Sequence, residues 1–234
     1  MPLTAAHPWS ARGAHFVLAC ALIMMALGAQ PRMTRAEVIA PKVEPNTVLV
    51  MGDSLAAGYG LDPTEAFPAL LQKKADAAGL KVNIVNGGLS GDTSAGGLRR
   101  LDWLLKRHLD VLLLELGGND GLRGIPVEVT RTNLQTIIDR TKSKFPRARV
   151  VILGMQMPPN MGAEYAGSFQ KVYPDLAKKN NATLVPFLLE GVGGKPEFNL
   201  PDQIHPTAAG QKILADNVWK FLRPVLEEVA AAKR

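Results

Sequence analysis

Three short runs of nearly unbroken apolar residues, at 48–51, 110–116 and 149–154, most constrain what this chain can fold into. Val48-Leu49-Val50-Met51 and Val111-Leu112-Leu113-Leu114-Glu115-Leu116 show no alternation of polar and apolar side chains. Arg149-Val150-Val151-Ile152-Leu153 follows the same rule after its first residue. Strands that are apolar on both faces belong in a parallel sheet covered by helices on each side. Residues 81–86 and 182–187 add two more strands, and Pro186 suits an edge or a strand terminus. Helical periodicity falls between the strands. Phe67, Leu70 and Leu71 mark a helix over 63–78 with Gly79 as its stop, and Leu98, Leu101, Leu104 and Leu105 mark a second. Val129, Leu134, Ile137 and Ile138 mark a third over 126–144, residues 164–180 form a fourth, and a fifth runs from Thr207 to about Glu228. Strict alternation of strand and helix predicts an α/β fold, a three-layer α/β/α sandwich around a five-stranded parallel sheet. Right-handed crossovers then favour a doubly wound, flavodoxin-like strand order 2-1-3-4-5.

In such sheets ligands bind at the carboxyl ends of the strands. The first strand runs into Gly52-Asp53-Ser54-Leu55, which places a hydroxyl on that edge. Asp and Ser are also preferred helix N-caps, so the same residues fit a purely structural role. A serine nucleophile needs an imidazole base and a carboxylate to orient it. Asp202 and His205 stand three apart in Pro201-Asp202-Gln203-Ile204-His205-Pro206, where two prolines exclude a helix interior or a central strand. A turn there can fold the carboxylate back onto its own histidine.

Two further loops follow strands. Gly87-Gly88-Leu89-Ser90-Gly91-Asp92-Thr93-Ser94 lacks the spacing of a dinucleotide fingerprint or a P-loop, and the exposed Gly91 amide suits an oxyanion donor better than a phosphate cradle. Gly117-Gly118-Asn119-Asp120 ends the central strand, where the Asn119 amide can serve the same purpose or act only as a turn residue. After the fourth strand, Met155, Met157 and Met161 surround Pro158 and Pro159. They fit either an adaptable apolar slot or ordinary core filling.

The N-terminus stands apart. Residues 16–29 are apolar and uncharged, with Arg12 before them and Pro31 and Arg32 after. That is the pattern of a secretory signal peptide within residues 1–36, short for a bilayer span, with an uncleaved membrane anchor as the alternative. The one cysteine, Cys20, lies in this segment, so a processed chain has no disulfide, thiol nucleophile or cysteine metal ligand. Residues 37–46, with Pro41 and Pro45, form an extended lead-in, and residues 47–234 suit a single domain rather than two. The formal charge of +6 includes Arg12, Arg32 and Arg35 from the acid-free leader, so it makes no case for nucleic acid.

The four blocks, Gly52-Asp53-Ser54-Leu55, the loop with Gly91, Gly117-Gly118-Asn119-Asp120 and Asp202-Gln203-Ile204-His205-Pro206, resemble in their order the SGNH (GDSL) hydrolase family. Gly91-Asp92-Thr93-Ser94 and the run from Glu115 to Gly124 look closest to its bacterial periplasmic multifunctional acyl-CoA thioesterase, arylesterase and lysophospholipase members. The resemblance implies a nucleophilic Ser54, a His205 base oriented by Asp202, and an oxyanion hole of the Ser54 and Gly91 N–H groups with the Asn119 amide. It further implies a mobile 121–126 loop, acyl contacts at Met157 and Pro158, and an apolar pocket bounded by Leu122. No metal, cofactor or stable protein partner is implied. The expected substrates are small acyl esters or thioesters, lysophospholipids among them, met in the periplasm or outside the cell. Rival readings are a carbohydrate O-deacetylase with the same machinery, and a lipid-binding or anchored protein that keeps the fold without the chemistry.

Overall fold

The computed structural model describes residues 44–232. The expected signal peptide, its Cys20 and most of the lead-in lie outside them. Five parallel strands form one sheet: β1 (Asn46–Gly52), β2 (Val82–Asn86), β3 (Val111–Glu115), β4 (Arg149–Leu153) and β5 (Thr183–Val185). Their order is β2-β1-β3-β4-β5, as expected from right-handed crossovers. The apolar runs occupy the middle of this sheet. Val48, Val50, Met51 and residues 111–113 have no exposed surface, which follows from coverage on both faces.

The described residues form seven helices, in chain order: α1 (Ser54–Ala57), α2 (Phe67–Ala77), α3 (Ser94–Leu104), α4 (Gly118–Leu122), α5 (Val127–Lys144), α6 (Ala163–Asn180) and α7 (Ala208–Ala231). α2 packs with α7, while α3, α5 and α6 pack in succession. The direction of travel reverses between β2 and β3, and a right-handed crossover then sends α2 and α3 to opposite faces of the sheet. Buried Leu101, Leu134, Ile137, Ile138, Phe169, Leu214 and Val218 cover the strands from the two sides.

Local chemistry moves several boundaries. The helix expected over 63–78 divides into a 3₁₀ turn, Pro63–Glu65, and α2. Ala66 is extended, Pro68 enters the first turn of α2, and the Phe67 N–H donates to Gln211 Oε1 at 2.8 Å. β5 pairs only through Val185, because Pro186 has no N–H to continue the ladder. α7 runs to Ala231, past the expected end near Glu228, with Val225 and Leu226 buried beyond Pro224. The two short helices α1 and α4 are the elements the sequence pattern missed. Both follow strand ends and are too short to show helical periodicity.

Candidate active site

Ser54 is the first residue of α1, immediately after β1. Asp53 caps this helix, its Oδ1 accepting the Leu55 N–H at 3.0 Å, and Gly58 closes it in the left-handed region at φ 74°. The capping and nucleophile readings therefore do not compete: the aspartate takes the cap, and the serine hydroxyl is left to face the opposite loop.

That loop is a closed turn. Leu200 N–H donates to the His205 carbonyl at 2.7 Å, Gln203 N–H to the Leu200 carbonyl at 2.9 Å, and Gln203 sits at φ 58°. Asp202 Oδ1 accepts the backbone N–H groups of Ile204 and His205 at 2.9 and 3.0 Å, leaving Oδ2 to meet His205 Nδ1 at 2.7 Å. The His205 backbone bond, then its ring contact, then the Ile204 bond hold the Asp202 carboxyl down at about 2. His205 Nε2 lies 3.0 Å from Ser54 Oγ, across 151 residues of sequence. A serine whose hydroxyl contacts an imidazole, itself oriented by an ionised carboxylate, can be deprotonated as it attacks a carbonyl. Tyr59 was not anticipated from the sequence. Its ring lies 4.3 Å from that of His205, tilted by 35°.

Asn119 lies on α4, and its Nδ2 donates to Asp53 Oδ2 at 3.1 Å. The amide keeps a second hydrogen for another acceptor. α4 is tied to its neighbours through buried Asp120, which accepts from Ser94 N–H at 2.8 Å and from the Ser94 and Thr130 hydroxyls. Gly91 is exposed at φ 78°, and its carbonyl accepts from Arg123 Nη2 at 3.0 Å. Arg100 fixes this loop against β1. Its guanidinium donates to Asp92 Oδ2, to the Gly87 carbonyl and to the Gly52 carbonyl at 2.6, 2.6 and 2.9 Å. Gly88 is required where the loop crosses α1, since a Cβ there would lie 2.4 Å from the Ala57 nitrogen.

Behind Ser54 stands a second acid. Glu115, 1% exposed, faces Gly52 across the β1/β3 register, and its Oε2 accepts the Asp53 N–H at 3.0 Å. Burial first, and the Asp53 charge second, push its carboxyl well above the usual range. Asp53 is pushed up to about 6 by its own burial, against the opposing Leu55 and Asn119 hydrogen bonds. Sequence reading passed over Glu115 as a polar interruption in an apolar strand. An acid in an otherwise fully buried run was the available clue.

A cavity of about 490 Å³ opens beside the serine. Ser54, Asn119 and His205 border it, and Leu122, Met155, Met157, Pro158, Phe187 and Leu189 supply much of its apolar lining. Leu122, Met157 and Pro158 all line this cavity, while Met161 packs against the core instead. Met157 lies against α4 where Gly121 has no side chain; a Cβ there would come 2.1 Å from the Met157 sulfur. His108 is at the opposite edge of the sheet, its Nε2 3.1 Å from Asp110 Oδ1. No group of three His, Cys, Asp or Glu side chains among the described residues is placed to hold a metal ion.

The profile of the GDSL-like Lipase/Acylhydrolase family matches residues 50–213, a span that begins before Ser54 and ends after His205. The chain belongs to this family. It is 45% identical over 181 residues to esterase TesA of Pseudomonas aeruginosa, covering 77% of this chain and 89% of that protein. It is 41% identical over 182 residues to thioesterase 1/protease 1/lysophospholipase L1 of Escherichia coli K12, covering 77% and 85%. A crystal structure of TesA superposes with a TM-score of 0.73 at 44% identity, over 76% of this chain and 99% of that one.

Proposed function

We propose that this family member is a serine esterase that hydrolyses carboxylic esters and thioesters of acyl chains through an acyl-Ser54 intermediate. The observation that carries this reading is the chain of contacts from Ser54 Oγ to His205 Nε2 at 3.0 Å and from His205 Nδ1 to Asp202 Oδ2 at 2.7 Å, beside an apolar cavity. Asp202 holds the Nδ1 proton in place, so the Nε2 lone pair faces the serine. His205 takes the hydroxyl proton as Ser54 Oγ bonds to the carbonyl carbon. The charge that develops on the carbonyl oxygen is met by the Ser54 and Gly91 N–H groups and the second hydrogen of the Asn119 amide. Collapse expels the alcohol or thiol, which leaves with the proton held on His205. Water then attacks the acyl-serine by the same route in reverse roles.

Leu122, Met157 and Pro158 contact the acyl chain in this reading, and the 121–126 loop shifts as it enters. An apolar cavity next to the serine favours acyl esters over the acetyl groups of a polar carbohydrate. It suits a single-chain lysophospholipid, whose headgroup can remain in water. The names of the relatives, an esterase and a thioesterase/lysophospholipase, lie in the same range of chemistry. Residues 1–36 act as a secretory leader, so residues 47–234 work in the periplasm or outside the cell.

Ser54→Ala tests the assignment. The variant keeps the wild-type circular dichroism and unfolding midpoint but loses at least ~10³ in kcat on p-nitrophenyl esters, and it escapes labelling by a fluorophosphonate. Near-normal turnover by the folded variant would refute it.

A further inference from the structure

The edge of the sheet opposite the cavity carries features that ester hydrolysis does not use. Parallel strands put Asn46, Val111 and Arg149 together at this pole, and Ser54 and Asn119 a strand's length away. Lys106, Arg107 and His108 leave the end of α3 here, Lys144 ends α5, and Arg147 and Arg149 lead into β4. His108, Lys144, Arg147, Arg149 and Glu228 line a cavity of about 410 Å³. Two acids at this pole are engaged: Glu228 pairs with Arg149 at 2.5 Å, and Asp110 contacts His108 at 3.1 Å and the Thr47 N–H at 2.8 Å. Lys106, Arg107 and Arg147 are exposed and have no ion-pair partner among the described residues.

Trp103, in the last turn of α3 beside this cluster, is 69% exposed, the most of any large apolar side chain described. Tryptophan normally buries its ring, and its amphipathic indole concentrates at membrane–water interfaces. Basic side chains around such an aromatic are the composition of an interfacial contact.

We propose that this pole docks on an anionic lipid bilayer, with Trp103 in the headgroup region and Lys106, Arg107, Lys144 and Arg147 facing the anionic headgroups. The docked domain points its cavity away from the bilayer, toward substrates dispersed in water. The proposal rests on the strand topology and the composition of the pole, and stands apart from the esterase reading.

The test is sedimentation of the full chain with phosphatidylcholine vesicles, with and without phosphatidylglycerol. The apolar run at 16–29 is common to all variants and drops out of the comparison. Wild type binds more tightly when phosphatidylglycerol is present, and added salt erases the difference. Each Lys or Arg near an anionic surface contributes about fivefold, so the combined change Lys106→Gln, Arg107→Gln, Lys144→Gln and Arg147→Gln lowers that binding by several hundredfold. Trp103→Ala weakens binding and removes a blue shift of tryptophan emission seen on mixing with vesicles. All variants hydrolyse a soluble p-nitrophenyl ester at the wild-type rate, so a failed esterase assignment would leave the vesicle result intact. Equal binding to both vesicle types, or unchanged binding by the four-residue variant, would overturn the proposal. So would duplex DNA binding lost to the same extent in that variant, which would mean general polyanion affinity.

Discussion

Replacing Asp53 with asparagine should change how stability depends on pH, and the size follows from the surroundings of this carboxyl. Asp53 is 2% exposed, and its burial raises it from an ordinary 3.8 to about 6. A carboxyl raised on folding favours the folded state fully below pH 3.8, and that contribution is lost as pH climbs through about 6. The loss corresponds to about 3 kcal/mol, present in wild type and absent when the side chain cannot titrate. Asparagine is as good an N-cap as aspartate, so α1 survives the change. Urea unfolding of both proteins, followed by circular dichroism at about pH 4 and about pH 7.5, reports on Asp53 together with the Glu115 carboxyl its charge acts on, because titrations remote from this pair cancel in the difference. The variant should gain about 2.4 kcal/mol relative to wild type between the two conditions, because the unfolded carboxyl is already more than half ionised at pH 4. A difference that is the same at both pH values would refute the claim that Asp53 is a desolvated acid. Ester turnover should meanwhile fall, since one amide oxygen cannot serve both the Leu55 N–H and the Asn119 amide that the two carboxylate oxygens accept.

The other expectations are simpler to state. Asn119→Ala removes one oxyanion donor and should lower kcat by about 10²–10³ with little change in KM, read from p-nitrophenyl ester kinetics. Asp202 stays ionised down to about 2, so the acid side of the rate profile must not be set by this carboxyl. Asp202→Asn should cost about 10⁴ in kcat, as in other triads where the base loses its correct tautomer, and an unchanged rate would remove Asp202 from the mechanism. Gly121→Ala puts a methyl group 2.1 Å from the Met157 sulfur, so Met157 must swing into the cavity. KM should rise for octanoyl but not acetyl aryl esters, measured as a chain-length series.

The strands were legible because burial on both faces leaves an unbroken apolar run, a property of five or six neighbouring residues. The strand order followed from the handedness of successive crossovers and matched what the structure contains. The Asp202-His205 turn was equally readable, since its carboxylate, backbone donors and imidazole all lie within four residues. α1 and α4 escaped notice because one turn of helix has no periodicity to detect. Asp53 was assigned as either cap or neighbour of a nucleophile, and local pattern could not reveal that it fills the first role while also holding Asn119.

By itself, then, the sequence determined which groups stand at the carboxyl ends of which strands, because strand burial, turns and caps depend on residues close in the chain. Only the tertiary structure decided that His205 lies within a hydrogen bond of Ser54, that Tyr59 covers its ring, and that Glu115 sits behind Asp53. It also decided that both carboxyls are raised, because desolvation is set by what surrounds a carboxyl in space, and in this fold those surroundings come from strands more than sixty residues apart.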